Sequence, residues 1–354
     1  MIEKKILKWS SVIMLFVMVA TIGFLYYFPK IQQSYSVVED LEDESTQKDD
    51  GNMKNAANPE DVVQNLESLE GKLKLELPED VITSTVTIKS DLLTQMVYIS
   101  FPTECLDYFS NYSLQGSSDY IASISYYNED GKGVMAMQMS QLYEIEKEIK
   151  DQSVYLSFID PHDIYDKVIV VDAGHGTGSK GGASMAGVDE AELNLEIVLK
   201  LKKLLDECDM NIGVYYTRLD EGDVSLQARA QLANAANADL FISVHNNAYT
   251  SNAWSYINGT SVLYSQSDDS EHNSQHFAEI CLDHLVSTLG SNRRGLVEGD
   301  SKYIIRTAEC PVALVEIGYM TNKKEFNKLI SDEYQQKAAQ AIYDSIMQAF
   351  EEGY

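Results

Sequence analysis

Two short, β-branched apolar runs each lead directly into a histidine, and this pairing constrains the chain more than any other feature. Val168-Ile169-Val170-Val171-Asp172 runs into Gly174-His175-Gly176, and Leu240-Phe241-Ile242-Ser243-Val244 runs into His245-Asn246-Asn247. Such runs, bounded by polar residues, read as buried strands. The carboxyl ends of strands in an open parallel sheet face one crevice, so the two imidazoles are expected at a common edge, where a ligand or metal binds.

The pattern from Lys167 onward supports a sheet of that kind. Glu190 to Glu207 carries Leu195, Val198, Leu201 and Leu205 at helical steps. Strands follow at Ile212–Thr217, Leu240–Val244, Thr260–Tyr264 and Val312–Val315, with helices at Leu226–Asn237, Glu271–Leu289 and Tyr334–Phe350 between or after them. This alternation predicts an α/β catalytic domain over 166–352, a mostly parallel sheet flanked by helices. Residues 73–160 differ in texture. Short β-prone runs at Val81–Ile88, Met96–Phe101, Ile121–Tyr127, Gly133–Met137 and Val154–Phe158 are separated by turn signals such as Asn128-Glu129-Asp130-Gly131, and predict a small β domain.

The front of the chain addresses location. Lys4, Lys5 and Lys8 precede an apolar stretch over 9–28, long enough to cross a ~30 Å hydrocarbon layer as a helix. Residues 1–8 are then a cytoplasmic tail and 9–28 an uncleaved transmembrane signal anchor, since bulky Tyr26, Tyr27 and Phe28 replace the small residues of a cleavage site. Residues 29–72 are polar, with Glu39, Asp40, Glu42, Asp43, Glu44, Asp49 and Asp50 close together, and predict a self-repelling linker that places the rest of the chain outside the cell membrane. With 55 acidic against 27 basic residues and a net charge of −28, the chain is a poor match for nucleic acid, which is held through phosphate contacts by Lys and Arg. Cys105, Cys208, Cys281 and Cys310 show no C-x-x-C spacing and are expected in the core, with a disulfide open.

Three strand ends carry groups able to bind a metal or move a proton: His175, His245 and Glu316, the last after Val312-Ala313-Leu314-Val315. Glu190 opens the first helix as a fourth. Two His and one Glu form a known catalytic zinc set with water at the open position, and two His, Glu190 and a spare carboxylate fit that need. The glycines beside His175 are expected to permit backbone geometry that a side chain would obstruct, as where a loop approaches a ligand. His272 and His276, four apart on a predicted helix, lack the H-E-x-x-H arrangement, and His162 and His284 read as surface or packing residues. A serine nucleophile is unsupported, because no G-x-S-x-G follows a strand.

These stretches, together with Gly187–Leu195, Tyr216-Thr217-Arg218, Leu226-Gln227-Ala228-Arg229 and Pro311–Asn322, resemble the zinc-dependent N-acetylmuramoyl-L-alanine amidases of the amidase_3 type. The resemblance runs in order from about Lys167 to Phe350. It implies that His175, Glu190 and His245 bind Zn2+, that Glu316 is the catalytic glutamate, and that Asn247 orients a ligand or the substrate. Arg218 and Arg229 match family positions and read as structural ion-pair residues. Ala173 stands where the family frequently has Pro and Asn246 where it frequently has a small residue, and neither is expected to touch a ligand. The β region's place before the catalytic part resembles the AMIN-type domains of cell-wall amidases. The implied activity is hydrolysis of the amide between N-acetylmuramic acid and L-alanine in peptidoglycan. A catalytically silent wall-binding scaffold and a zinc peptidase of the stem peptide are the alternatives.

Overall fold

The computed structural model describes residues 72–354 except 80, 103–114, 117–118, 180, 183, 250–252 and 268–272. The cytoplasmic tail, the signal anchor at 9–28, the acidic linker up to 71, Cys105 and His272 lie outside the described residues. Among the described residues no helix is long and apolar enough to cross a membrane.

Eight strands fill the first part: β1 (Lys72–Glu76), β2 (Thr87–Asp91), β3 (Met96–Phe101), β4 (Gln115–Gly116), β5 (Ile121–Glu129), β6 (Lys132–Met139), β7 (Glu144–Lys150) and β8 (Ser153–Ile159). They form two antiparallel sheets, β4-β1-β8-β7 and β2-β3-β6-β5. Alternating side chains from both, including Leu73, Leu75, Ile99, Phe101, Met135, Met137, Leu156 and Phe158, make one apolar core. The β5–β6 hairpin turns on Asp130 and Gly131, both at positive φ, which matches the right-handed twist of paired strands. The run Val81–Ile88 departs from its expected strand: Thr83–Thr85 form a 3-10 turn, and β2 starts only at Thr87. β7, Glu144-Ile145-Glu146-Lys147-Glu148-Ile149-Lys150, gave no strand signal because its charges sit on a largely exposed edge strand.

The second part is a three-layer α/β unit. Its sheet has the order β12 (Ile212–Tyr216), β9 (Lys167–Ala173), β13 (Leu240–Asn247), β16 (Val312–Tyr319), β14 (Thr260–Tyr264), β15 (Arg293–Glu298). The first four strands are mutually parallel, whereas β14 runs antiparallel to β16 and β15 parallel to β14, so the sheet is mixed. A two-residue pair, β10 (Ser184–Met185) and β11 (Val188–Asp189), precedes the first long helix.

Seven helices accompany these strands: α1 (Pro161–Ile164), α2 (Glu190–Asp206), α3 (Leu226–Ala235), α4 (Ser274–Leu289), α5 (Tyr303–Thr307), α6 (Lys323–Leu329) and α7 (Asp332–Glu351). Ile169, Val171, Ile242, Val244, Val315 and Ile317 point to the face packed by α2, α4 and α7, where Leu193, Ile197, Leu201, Phe277, Leu285, Ile342 and Ile346 meet them. Val168, Val170, Phe241, Val312 and Leu314 point the other way, onto Leu232 and Ala233 of α3 and Ile304 and Ile305 of α5. A strand buried on both faces reads as a continuous apolar run, which is why β9, β13 and β16 stand out in the sequence. Leu142 joins this second cluster, its N–H donates to the Ala235 carbonyl at 2.9 Å, and Tyr215 Oη donates to Glu144 Oε1 at 2.7 Å.

Candidate metal and hydrolytic site

The parallel register of β13 with β16 sets the first two groups. His245 lies opposite Glu316, and residues directly opposite in paired strands project to one face. Both therefore sit inside strands rather than beyond them, because pairing continues to Asn247 and Tyr319 after a register shift. His175 lies two residues past the end of β9, in the loop that returns toward α2. Glu190 is the first residue of α2, and Glu190, Asn194, Ile197 and Leu201 share the buried helix face at steps of four and three. The helix thus points a carboxylate over the top of the sheet at the strand ends.

The structure brings His175, Glu190 and His245 together, with one ligand atom from each within 4.8 Å of the others. Glu190 Oε1 lies 3.1 Å from His175 Nε2 and 3.0 Å from His245 Nδ1. Two ligands on a tetrahedral Zn²⁺ with bonds near 2.0–2.1 Å are about 3.3 Å apart, so the donor spacing and the N, N, O donor set fit such an ion. The imidazole planes are nearly perpendicular, at 82°, with centroids 4.7 Å apart. Burial opposes ionisation of Glu190, but the hydrogen bonds and charges of His175 and His245 outweigh it and hold the carboxyl well below the usual range.

The backbone around these groups is close-fitted. His175 itself adopts φ +64°, whereas neither flanking glycine is at positive φ. A left-handed histidine costs free energy and is held only by its surroundings. The glycine expectation holds at Gly174 in the form of a close approach: a Cβ there would lie 2.2 Å from His245 Nε2. Gly181, at φ +106°, would place a Cβ 2.5 Å from Glu190 Oε2, and the Gly182 N–H donates to that oxygen at 2.6 Å.

Two buried arginines hold the loop through its carbonyls. Arg218 donates to the carbonyls of Ala173, Gly174 and Ala191 at 2.8–2.9 Å. Arg229 donates to those of Ala173 and His175, at 2.8 and 2.6 Å, and pairs with the buried Asp172. Asp172 also accepts from Thr217 Oγ1 and Ser243 Oγ, both at 2.5 Å. Burial opposes its charge, but Arg229 and the two hydroxyls prevail and lower its pKa. Arg229 is thus an ion-pair residue, while Arg218 binds peptide oxygens and forms no ion pair among the described residues.

Glu316 faces the same space. It is half-buried, its Oε2 is buried without a hydrogen-bond partner among the described residues, and burial together with the Glu190 charge pushes its pKa up to about 8 against the pull of Lys302. A carboxyl in that range exchanges protons near neutrality. Asn247 gives its carbonyl to Met320 N, with no bond to the cluster. Its neighbour makes the contact instead: the Asn246 N–H donates to Glu190 Oε1 at 3.3 Å and its Nδ2 to Asn194 Oδ1 at 2.9 Å, while Asn194 Nδ2 donates to the Gly174 carbonyl at 3.1 Å. The expectation that Asn246 touches no ligand residue is therefore corrected. A polar Asn194 on an otherwise apolar helix stripe was the available sequence signal for this network.

The rival histidines are engaged elsewhere. His276 Nε2 lies 2.7 Å from Glu352, His284 Nε2 2.8 Å from Gln348, and His162 Nε2 3.3 Å from Asp239. Cys281 is buried and Cys208 and Cys310 are half-buried.

Comparison with known proteins places this constellation. Residues 169–348 match the Amidase_3 family model, described as N-acetylmuramoyl-L-alanine amidase. The chain is 38% identical over 180 residues to the uncharacterised protein YqiI of Bacillus subtilis, covering 51% of this chain and 83% of that protein. It is 34% identical over 178 residues to the N-acetylmuramoyl-L-alanine amidase LytC of the same organism, covering 50% of this chain but only 34% of LytC. It is 30% identical over 200 residues to the germination-specific N-acetylmuramoyl-L-alanine amidase of B. subtilis, covering 52% of this chain and 81% of the relative. A crystal structure of an N-acetylmuramoyl-L-alanine amidase from Clostridium difficile 630 aligns with a TM-score of 0.49 at 29% identity, covering 53% of this chain and 98% of that one. With the family model spanning half of the chain and enclosing all four groups at the sheet edge, the chain belongs to the Amidase_3 family of N-acetylmuramoyl-L-alanine amidases.

Proposed function

We propose that the chain is a membrane-tethered zinc amidase of the cell wall, which hydrolyses the bond between the lactyl carbonyl of N-acetylmuramic acid and the amino group of L-alanine. The observation that carries the reading is a three-donor group, His175, Glu190 and His245, beside an independent carboxylate, Glu316, under a matching family model. His175 Nε2, His245 Nδ1 and Glu190 Oε1 would hold the ion. Zn²⁺ bound there would polarise the amide carbonyl and make water a competent nucleophile near neutral pH. Glu316 takes a proton from the attacking water as its oxygen bonds to the amide carbon and delivers it to the nitrogen as the C–N bond breaks, giving the lactyl carboxylic acid, whose proton then passes to the free amino group of L-alanine. Its half-buried position, with one oxygen turned away from solvent, keeps its basicity high enough for that exchange. The carbonyl contacts of Arg218 and Arg229 keep His175 in its left-handed conformation.

The apolar segment at 9–28 with its basic flank supports a single-pass anchor, and the acidic segment at 29–72 an extended tether toward the peptidoglycan. The β strands between tether and catalytic unit act as a spacer or wall-facing module. The purified protein should bind about one zinc and release stem peptides from muropeptides, leaving free lactyl carboxylates. Shortened peptides in the digest would identify a peptidase, and absence of stoichiometric zinc would favour a silent scaffold.

A further inference from the structure

Arg293 and Arg294 are adjacent in sequence but differ in electrostatic state. The Arg293 guanidinium is neutralised by ion pairs to Glu279 and Asp283 on α4. Arg294 forms no ion pair among the described residues and lies over the Tyr319 ring, 5.3 Å from the centroid. Its nearest polar contact is a marginal one, to the Asn258 carbonyl at 3.5 Å. The Glu325 carboxylate, whose charge also reaches Arg294, is already used by the N–H groups of Gly259 and Tyr319. In a chain of net charge −28, an exposed guanidinium with no carboxylate partner among the described residues is open to one from outside.

Its place is next to the hydrolytic site. Tyr319 ends β16, three residues beyond Glu316 on the same strand, and its phenol lies within electrostatic reach of both Glu316 and Arg294. Arg294 also lines a cavity of about 470 Å³ with Tyr256, Ile257, Asn258, Asn292 and Arg293. The wall opposite the arginines is fixed: the segment ending at Gly259 is tied to the strand end by Ser255 N to the Thr321 carbonyl at 2.7 Å and by Gly259 N to Glu325 at 2.9 Å. A planar fork of donors 5.3 Å from the centroid of an aromatic ring, at the rim of an open surface depression, is suited to bidentate recognition of a carboxylate.

We infer that Arg294 and this cavity form a subsite for an acidic peptide, recognising a free carboxylate on the stem peptide that carries the scissile L-alanine bond. This inference rests on the amidase reading, with Arg294 setting specificity rather than performing chemistry. It assigns the two arginines opposite roles: Arg293 braces β15 against α4, and Arg294 selects acidic over amidated stems.

The test is equilibrium binding of a free stem peptide, acidic or with its carboxylates amidated, to the zinc-loaded protein by calorimetry. The wild type should bind the acidic form about 5-fold or more tightly than the amidated one, with the difference shrinking as salt rises. Arg294→Gln should erase that preference by weakening the acidic form alone, Arg294→Lys should restore part of it, and Arg293→Gln should leave it in place. Equal affinities of the wild type for both peptides, absence of binding, or an equal loss in Arg293→Gln would overturn the subsite. Selective binding without hydrolysis of any muropeptide would leave the subsite standing and refute the amidase reading instead.

Discussion

Replacing Gly174 by alanine tests whether the site is built by close packing of backbone on ligand. The added methyl would lie 2.2 Å from His245 Nε2, 2.3 Å from Cε1 and 2.7 Å from Cδ2, all inside the ~3.4 Å of ordinary contact. The imidazole must therefore shift by about 1 Å or rotate. Its Cα has little freedom to follow, because β13 is paired with β9 on one side and β16 on the other and Gly174 N is bonded to the Val244 carbonyl at 3.1 Å. An off-rotamer ring costs roughly 0.5–1.5 kcal/mol, and overpacking typically costs about 1–3 kcal/mol. The smaller entropy of the unfolded Ala chain returns about 0.4–1 kcal/mol. The net expectation is a loss of about 0.5–4 kcal/mol, with Tm falling by roughly 2–4 °C for each kcal/mol. The effect on metal should be larger than on stability. A ligand displaced by 1 Å exceeds the ~0.5 Å tolerance of a metal site, and even loss of an outer partner costs ~10–100-fold in affinity. Zinc affinity should fall by about 100-fold or more in competition with a chromophoric chelator, while far-UV circular dichroism stays native. Gly182→Ala is the control, since its Cβ would meet Glu190 Oε2 at an ordinary 3.5 Å. Wild-type zinc affinity in folded Gly174→Ala would refute the packing account.

Glu316→Gln should retain one zinc yet lose stem-peptide release by about 100-fold or more, because the carboxamide keeps the shape and removes the proton acceptor; retained kcat would exclude Glu316 as the base. In the metal-free protein the same substitution should raise stability at alkaline pH. The folded Glu316 pKa, about 8, lies above its unfolded value, so the folded state holds the extra proton and wild-type stability declines as pH rises from about 4.5 to about 8; an unchanged pH slope in the variant, read by denaturant melts, would contradict this. Asp172 has the opposite sign: its depressed folded pKa stabilises the protein above the unfolded value near 4, and that contribution is lost as pH falls through the folded pKa. Asp172→Asn should cost about 3–5 kcal/mol at pH 7 by stranding Arg229, with a smaller deficit in acid. Tyr215→Phe removes the bond to Glu144 and should cost about 1 kcal/mol, visible as faster amide exchange in β7.

Much of the catalytic unit is legible in the sequence because its physics is local. β9, β13 and β16 are buried on both faces and announce themselves as apolar runs, and α2 carries its stripe in plain view. The elements that escape the sequence are those whose pattern depends on partners. β15, Arg293-Arg294-Gly295-Leu296-Val297-Glu298, is a half-exposed edge strand, and α5 and α6 are only five and seven residues long. The reversal of β14 and β15 is also invisible locally, since strand direction is fixed by connection lengths and by which helix covers which face.

The four chemical groups follow the same division. Residue type, the apolar runs that lead into His175, His245 and Glu316, and the family resemblance single out these three residues and Glu190 from the sequence. Only the tertiary structure decided the rest: that register sets His245 opposite Glu316, that Glu190 Oε1 sits between both imidazoles, and that the Asn246 N–H supports it. Sequence determines which side chains exist and which faces are apolar. Their separation of about 3 Å arises only when strands distant in the chain pair in one register, and no local propensity encodes that distance.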